Sequence, residues 1–308
     1  MKTVILIPCY NEAPTIEKVI NDFKKEMPHA EIIIYDNNST DNTDIISKKA
    51  GATVKYEYSQ GKGNVVKSMF RDIEADCYIM VDGDDTYSPS HAKEIEKLIL
   101  DKKADMVIGD RLSSTYFKEN KRRFHNTGNK LIRKLINIFF KSNLNDILSG
   151  MRGFSYDFVK SYPVSSKGFE VETEMTIFAL SNNFKVVEVP ILYKDRIEGS
   201  ESKLNTYSDG YKVVMTFVSL VRDHKPLLFF SLLTVILLII AGLYFIPVLM
   251  YYLATGYVDK IPTLMVVVMV VIVAVILFFT GVILHVLNNQ DKNDLERHIK
   301  LMRQLKKE

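Results

Sequence analysis

Three carboxylates, Asp82, Asp84 and Asp85, stand within four positions directly behind the apolar run Tyr78 to Val81, in the stretch YIMVDGDDT. Acidic side chains this close raise one another's pKa and oppose the compact state unless a positive group sits among them. Their hard oxygens suit Mg2+ or Mn2+, ions that complete their shell with phosphate oxygens. A solvated acidic turn is the alternative, because Asp-Gly is a common turn dipeptide.

An apolar run that ends in such a cluster needs a fold that gathers other strand ends beside it. Strands are expected at Thr3 to Pro8, Glu31 to Tyr35, Thr53 to Tyr58, Cys77 to Val81 and Asp105 to Gly109. Helices are expected between them, at Ala13 to Glu26, Thr43 to Ala50, Gly63 to Glu74 and Ser90 to Lys102. Alternation of this kind, with near-continuous apolar strands, predicts an α/β fold: a mostly parallel sheet covered by helices on both faces. Ligands of such sheets bind beyond the carboxyl ends of the strands.

Every one of these ends is polar: Cys9-Tyr10-Asn11-Glu12, Asp36-Asn37-Asn38-Ser39-Thr40-Asp41, Gln60-Gly61-Lys62-Gly63-Asn64, Asp82-Gly83-Asp84-Asp85 and Gly109-Asp110-Arg111. Together on one rim they make a site. Asp36 is placed to accept from a base N–H or a ribose hydroxyl. Gly61-Lys62-Gly63 opens a helix and offers backbone N–H groups and an ammonium to a phosphate. A metal carrying a nucleotide diphosphate would supply the positive charge that the acidic cluster lacks.

The chain has 308 residues, with 40 Lys and Arg against 37 Asp and Glu, a net charge of +3 that gives no argument for a nucleic-acid partner. Residues 1–225 have the mixed composition of a soluble domain, whereas almost everything from Pro226 to Leu287 is apolar. Two spans are expected there, at Pro226 to Leu253 and Ile261 to Leu287, each longer than the roughly 20 residues that cross a bilayer. Arg222 and Lys225 precede the first span, and Lys292, Arg297, Lys300 and Arg303 follow the second. Basic flanks of this kind predict that both termini and the 1–225 domain are cytoplasmic, with 288–308 a basic tail. The opening MKTVILIPCYNE is too short in its apolar run for a signal peptide and reads as a first strand. Cys9 and Cys77 lie in strand-like runs and are expected as reduced core thiols.

These features together resemble the family 2 glycosyltransferases of GT-A (Rossmann-like) fold. IPCYNEAPTI is similar to that family's opening strand and loop, DNNSTDNT to its Asp-x-x-Ser-x-Asp-x-Thr nucleotide pattern, and VDGDD to its Asp-x-Asp metal motif. DILSGMRGFS (Asp146 to Ser155) resembles the Asp-x-x-Ser-Gly-x-Arg segment of polyprenyl-phosphate sugar transferases, the group of the dolichol-phosphate mannose synthases and the undecaprenyl-phosphate sugar transferases. KGFEVETEM and RIEGSESKL fit the same group, although the latter carries two extra residues before its Ser-Lys. The resemblance assigns the nucleotide to Pro8, Tyr10, Asn11, Glu12, Asp36, Asn38, Lys62, Asp82 and Gly83, and the metal, Mg2+ or Mn2+, to Asp82 and Asp84. It gives phosphate and acceptor contacts to Arg111, Arg152, Arg196, Ser202 and Lys203, and catalytic roles to Asp146, Asp84 and Arg152. Arg111 has a second expectation, an ion pair with the metal-site carboxylates.

The implied reaction is an inverting single displacement, in which a polyprenyl phosphate oxygen attacks the anomeric carbon of a nucleotide sugar. A UDP donor is favoured, UDP-glucose or UDP-N-acetylglucosamine, because VDGDDTY differs from the DADLSHPP type of mannose-phosphate synthases. Asp146 is the family's candidate base, but a phosphate monoester with a second pKa near ~6 is already largely ionised at neutral pH. Asn129 to Leu144 is basic on one side and apolar on the other, as an interfacial helix should be, and Lys121-Arg122-Arg123 adds charge for anionic lipid. A membrane location follows, and a homo-oligomer is compatible with it. Two rivals differ in class. A processive polysaccharide synthase would carry a Gln-x-x-Arg-Trp motif, and the chain has no tryptophan. An inactive scaffold of the same fold would have no reason to keep Asp36, Asp82 and Asp84 together.

Overall fold

The computed structural model describes residues 1–113, 133–168, 170–194, 215, 217–258 and 260–305. Its chain divides into two compact units, Met1–Phe217 with Leu301–Glu308, and Val218–Lys300.

The first unit is built on a seven-stranded sheet of order β3-β2-β1-β4-β6-β5-β7. Its strands are β1 (Thr3–Cys9), β2 (Glu31–Asp36), β3 (Thr53–Tyr56), β4 (Cys77–Met80), β5 (Met106–Asp110), β6 (Arg152–Ser155) and β7 (Val186–Pro190). The pairs β1–β2, β1–β4, β2–β3 and β5–β7 are parallel, while β6 runs antiparallel to both β4 and β5. The first five strands fall within about two residues of their expected positions. The fragment Arg-Gly-Phe-Ser of β6 has no apolar run, so nothing in its pattern announces a strand.

The α-helices among the described residues of this unit are α1 (Ile16–Glu26), α2 (Thr43–Lys49), α3 (Lys62–Asp72), α4 (Ala92–Leu100), α5 (133–140), α6 (Tyr156–Ser161) and α7 (Val171–Ser181). Side chains alternate across a strand, so β1 feeds both faces of the sheet. Ile5, Ile7 and Cys9 pack with Ile16, Val19, Ile20 and Phe23 of α1 and with Ile95 and Ile99 of α4. Val4 and Leu6 are buried on the opposite face, where α3 covers the sheet. Near α3 an aromatic cluster fills the core: Phe70 meets Phe154 edge-on at 5.3 Å, and Phe158 stacks on both Phe154 and Tyr162.

Chain order sends β2 and β3 to one side of β1 and β4 to the other. The crevice of an open α/β sheet forms where the strand order reverses, here beyond the ends of β1, β2 and β4. Of the expected interfacial helix Asn129 to Leu144, α5 is helical with Ile136 buried and Ile138 exposed, and 129–132 lies outside the described residues, as does Lys121-Arg122-Arg123.

Most of the second unit is a helical hairpin of α8 (Pro226–Thr255) and α9 (Ile261–Leu305, whose last residues from Leu301 count with the first unit), each long and apolar enough to cross a bilayer. Gly256, with φ 74°, ends α8 in the left-handed conformation that glycine adopts without strain. Thr234, Ala241 and Val248 are buried on α8, and Val267, Ala274 and Gly281 on α9. Both sets recur every seven residues, the period that keeps one stripe facing a partner helix. The stripe is small-sided and lets the two helices approach closely: Thr234 Oγ1 donates to the Ala274 carbonyl at 3.2 Å, and a Cβ on Gly281 would lie 2.8 Å from that of Phe230. The helix α9 continues to Leu305, so the segment expected as a solvated tail from 288 is helical almost to its end.

Candidate active site

At the switch point, hydrogen bonds join the loops that follow β1 and β2. The loop after β1 takes a left-handed turn at Asn11, with φ 55°. Its backbone is tied to the loop after β2: Asn11 N–H donates to Ser39 Oγ at 3.0 Å, Glu12 N–H to Thr43 Oγ1 at 2.9 Å and Ala13 N–H to Asp41 Oδ2 at 2.9 Å. Thr40 N–H returns a bond to Asn11 Oδ1 at 2.8 Å. Ser39, Asp41 and Thr43 thus shape the pocket wall. Burial would raise the pKa of Asp41, but the Thr43 hydroxyl and the Ala13 and Thr43 amides hold its carboxyl below the usual value.

Asp36 ends β2 and is 4% exposed. Its Oδ2 accepts from Ser39 N–H at 3.0 Å, while its buried Oδ1 has no hydrogen-bond partner. A buried carboxylate oxygen without a donor is costly, so a ligand donor there would relieve the penalty. Tyr10 stands half-exposed on the adjoining β1 loop. Asn37 is buried and joins this wall to the next, donating to the carbonyls of Glu57 and Ser59 and accepting from Gly61 N–H. Asn38 is exposed, in a left-handed turn, and donates to the Tyr58 carbonyl at 2.8 Å.

Beyond β4 the three carboxylates separate into three environments. Asp84 is buried, and its Oδ1 accepts from Thr86 N–H at 3.2 Å and Thr86 Oγ1 at 2.6 Å. Asp85 adopts φ 58° and pairs with Lys18 at 2.8 Å. Asp82 is partly exposed and its Oδ1 meets Lys62 Nζ at 2.5 Å. Gly83 packs under them, with its carbonyl accepting from Thr15 Oγ1 at 2.7 Å.

The expected role of the Gly61-Lys62-Gly63 turn requires a correction. The Gly63 amide is taken by the Lys167 carbonyl at 3.0 Å, and Cβ atoms at positions 61 and 63 would lie 2.2 and 2.0 Å from the carbonyl oxygens of Lys167 and Ser166. These glycines admit the 163–168 segment rather than a phosphate. Lys62 Nζ lies between Asp82 and Glu172, 2.6 Å from the latter. Burial would lower its pKa, but the two carboxylates hold it well above the ordinary lysine value.

The other half of the rim holds its charges more tightly. Arg111 binds Asp146 in a fork, Nε to Oδ2 at 2.7 Å and Nη2 to Oδ1 at 2.9 Å, lies over the Tyr193 ring and reaches Tyr87 Oη at 3.4 Å. Arg111 is therefore an ion-pair partner of Asp146, a carboxylate outside the acidic cluster after β4. Asp146 is 2% exposed, and burial would raise its pKa, but Arg111 keeps the carboxyl below its usual range. Both oxygens of the candidate base serve a salt bridge, a poor state from which to take a proton.

Arg152 departs furthest from its expected role. It has no exposed surface, and its guanidinium donates to the carbonyls of Ser149 at 2.9 Å and Ile147 at 2.6 Å and to Thr176 Oγ1 at 2.9 Å. Burial pulls its pKa down. It braces the 147–149 turn from inside and does not reach the rim. That turn matters to the site, because a Cβ on Gly150 would lie 2.1 Å from Asp82 Oδ2. Arg196, Ser202 and Lys203 lie outside the described residues.

Two participants went unrecognised by sequence. Glu172 and Glu174 are both buried on α7; Glu174 accepts from the amides of Ser165 at 3.0 Å and Ser166 at 2.8 Å, while Glu172 reaches Lys62. Their signal was the run EVETEM, acidic residues two apart in a segment otherwise fit for a core.

Asp82 and Asp84 suit a divalent cation of the Mg2+ or Mn2+ kind, which takes one or two carboxylates and completes its shell with water and substrate phosphates. Among the described residues no three His, Cys, Asp or Glu side chains gather as a metal cage, and water and substrate oxygens would complete the shell.

Residues 4–162 match the model of glycosyl transferase family 2. The chain is 33% identical to the glycosyltransferase AglJ of Haloferax volcanii over 228 residues, 74% of each chain. It is 26% identical to a dolichyl-phosphate hexose transferase of the same organism, covering 72% of this chain and 94% of that one. Among solved structures, glucosyl-3-phosphoglycerate synthase from Mycobacterium tuberculosis, in complex with Mn2+, uridine diphosphate and glucosyl-3-phosphoglycerate, superposes with a TM-score of 0.59 at 19% identity, over 71% of this chain and 79% of that one. That likeness is one of fold.

Proposed function

The chain belongs to glycosyl transferase family 2, and on that premise we propose that it moves a sugar from a nucleotide diphosphate donor to a polyprenyl phosphate at the cytoplasmic membrane face. The observation that carries the reading is the pairing, at one switch point, of a buried Asp36 oxygen lacking a donor with the Asp82 and Asp84 carboxylates. Asp36 would receive a base or ribose donor, and Tyr10 stands beside it. A divalent cation held by Asp82 and Asp84 would supply charge for the departing diphosphate. A UDP-sugar is the favoured donor; the structural neighbour from Mycobacterium tuberculosis was solved with uridine diphosphate and Mn2+.

The acceptor rests on a relative named for dolichyl phosphate and on two helices able to hold the domain at a bilayer. A phosphate nucleophile is ionised already and requires no base. Asp146 accordingly acts by positioning, fixing Arg111 at the rim. Inversion at the anomeric carbon follows from a single displacement in which the phosphate oxygen attacks opposite the diphosphate. Arg196 and Lys203 are proposed to meet the acceptor phosphate or the diphosphate.

Purified protein, undecaprenyl phosphate and a panel of nucleotide sugars, with mass analysis of the lipid, tests the reaction. A phosphate-linked hexose or N-acetylhexosamine is expected. Inside-out membrane vesicles should consume added nucleotide sugar and right-side-out vesicles should not. An unmodified lipid with every donor would refute the proposal.

A further inference from the structure

The nucleotide-facing crevice contains a cation of its own. Lys62 is largely buried, its side chain 9% exposed, with its ammonium 2.5 Å from Asp82 Oδ1 and 2.6 Å from Glu172 Oε1. Its backbone cannot drift, because Gly61 and Gly63 are pressed against the carbonyls of Ser166 and Lys167, and Glu174 pins the amides just before them. Asp82 is fixed from the other side by the turn at Gly150. Glu172 is buried, and its second oxygen has no hydrogen-bond partner. The arrangement is a row of charges, minus, plus, minus, with one end turned to the crevice and the other sealed inside α7.

We propose that Lys62 is the counterion of Asp82 in the metal-free protein and that Glu172 is a positioning residue that divides the charge of Lys62, leaving Asp82 able to accept a divalent cation. The inference rests on the metal reading of Asp82 and Asp84. An ammonium bound to Asp82 alone would compete with the incoming ion. A second, interior carboxylate weakens that competition in two ways: it draws the ammonium back, and it adds negative potential near the metal. Closed from solvent, the pair interacts with little screening. The two glutamates of α7 thus differ in role, Glu174 fixing the loop and Glu172 setting the charge.

The test is Mn2+ binding to the full-length protein in detergent, without nucleotide, followed by the paramagnetic resonance of the free ion. Glu172→Gln keeps the shape and removes the charge, and should bind Mn2+ roughly five- to tenfold more weakly than wild type. The double variant Lys62→Met with Glu172→Gln removes the counterion together with its interior partner, and should bind more tightly than wild type. A merely structural Glu172 would not produce opposite signs in these two proteins. Wild-type affinity in Glu172→Gln, or weaker binding in the double variant, would overturn the proposal. Should either variant fail to fold, the wild type carries the test: the Lys62 side-chain nitrogen resonance, assigned with Lys62→Arg, should move as Mg2+ is added, and a stationary resonance at saturating Mg2+ would overturn it. Asp84→Asn separates the two readings. If wild type binds Mn2+ no better than Asp84→Asn, the metal reading itself has failed; if wild type binds better and Glu172→Gln matches wild type, only the charge-division proposal has.

Discussion

The two halves of the rim contain similar charged residues and use them in opposite ways. On the β2-β1-β4 side, a carboxylate oxygen of Asp36 is left without a donor, and Asp82 is partly open to the crevice. On the β6-β5-β7 side, Asp146 and Arg111 are occupied by one another, and Arg152, behind the rim, is held by backbone carbonyls. A charged residue in a motif can therefore be a ligand awaiting a substrate or a brace that shapes the loop for one. What separates them is the supply of partners inside the protein, which spacing in a sequence does not reveal.

The sharpest break of this comparison comes from Asp84→Asn. The amide retains the oxygen that Thr86 addresses and loses the charge that a metal needs. Turnover should fall about three decades, ~4 kcal/mol in the barrier, with the melting temperature no lower than wild type. Near-normal turnover, or full activity in excess chelator, would place the open half among the braces.

Asp146→Asn should do the reverse. Removing one partner of the buried Arg111 pair costs about 3 kcal/mol of stability, read from chemical denaturation. Asp146 titrates lower folded than unfolded, so its contribution is fully present above the unfolded carboxylate value and is lost as pH falls through the folded one. The stability gap between wild type and Asp146→Asn should therefore close in acid. If Asp146 were the catalytic base, the variant would instead lose turnover with stability intact, and the limb of its pH–rate profile set by that base would vanish.

Smaller effects sharpen the comparison. Arg196→Ala and Lys203→Ala should each lose one to two decades of transfer, roughly 1.5–3 kcal/mol for a charge-assisted hydrogen bond, with nucleotide binding retained in calorimetry. Unchanged turnover in both would remove them from the site. Asp36→Asn should raise the KM for the nucleotide sugar about tenfold and change kcat little, because an amide can still accept but no longer attracts a donor as a carboxylate does. An unaltered KM would mean that its orphan oxygen faces no ligand.

The open half was also the legible half. Long apolar strands, their polar ends and the acidic mouth of β4 are local features, and the crevice could be predicted from them. In the other half β5 was legible as well, and what escaped did so because its information is tertiary. Nothing in Arg152-Gly153-Phe154-Ser155 marks a strand until β4 and β5 offer edges to pair with. Arg152 carries a charge that sequence reasoning sends to the surface, and only the neighbouring carbonyls of Ile147 and Ser149 explain its burial. Gly61 and Gly63 resembled a phosphate turn because glycine permits any close backbone approach, and here the approaching backbone belongs to the protein.

The central claim, that the switch point between β1 and β4 holds a metal-bound nucleotide, is tested most directly by an experimental structure of the protein with uridine diphosphate and Mn2+. The account predicts an anomalous manganese peak within coordinating distance of Asp84 and Asp82, diphosphate oxygens completing its shell, and a nucleotide donor on the open oxygen of Asp36. Nucleotide density elsewhere, or a diphosphate bound at this site by Lys62 with no metal beside the aspartates, would contradict it.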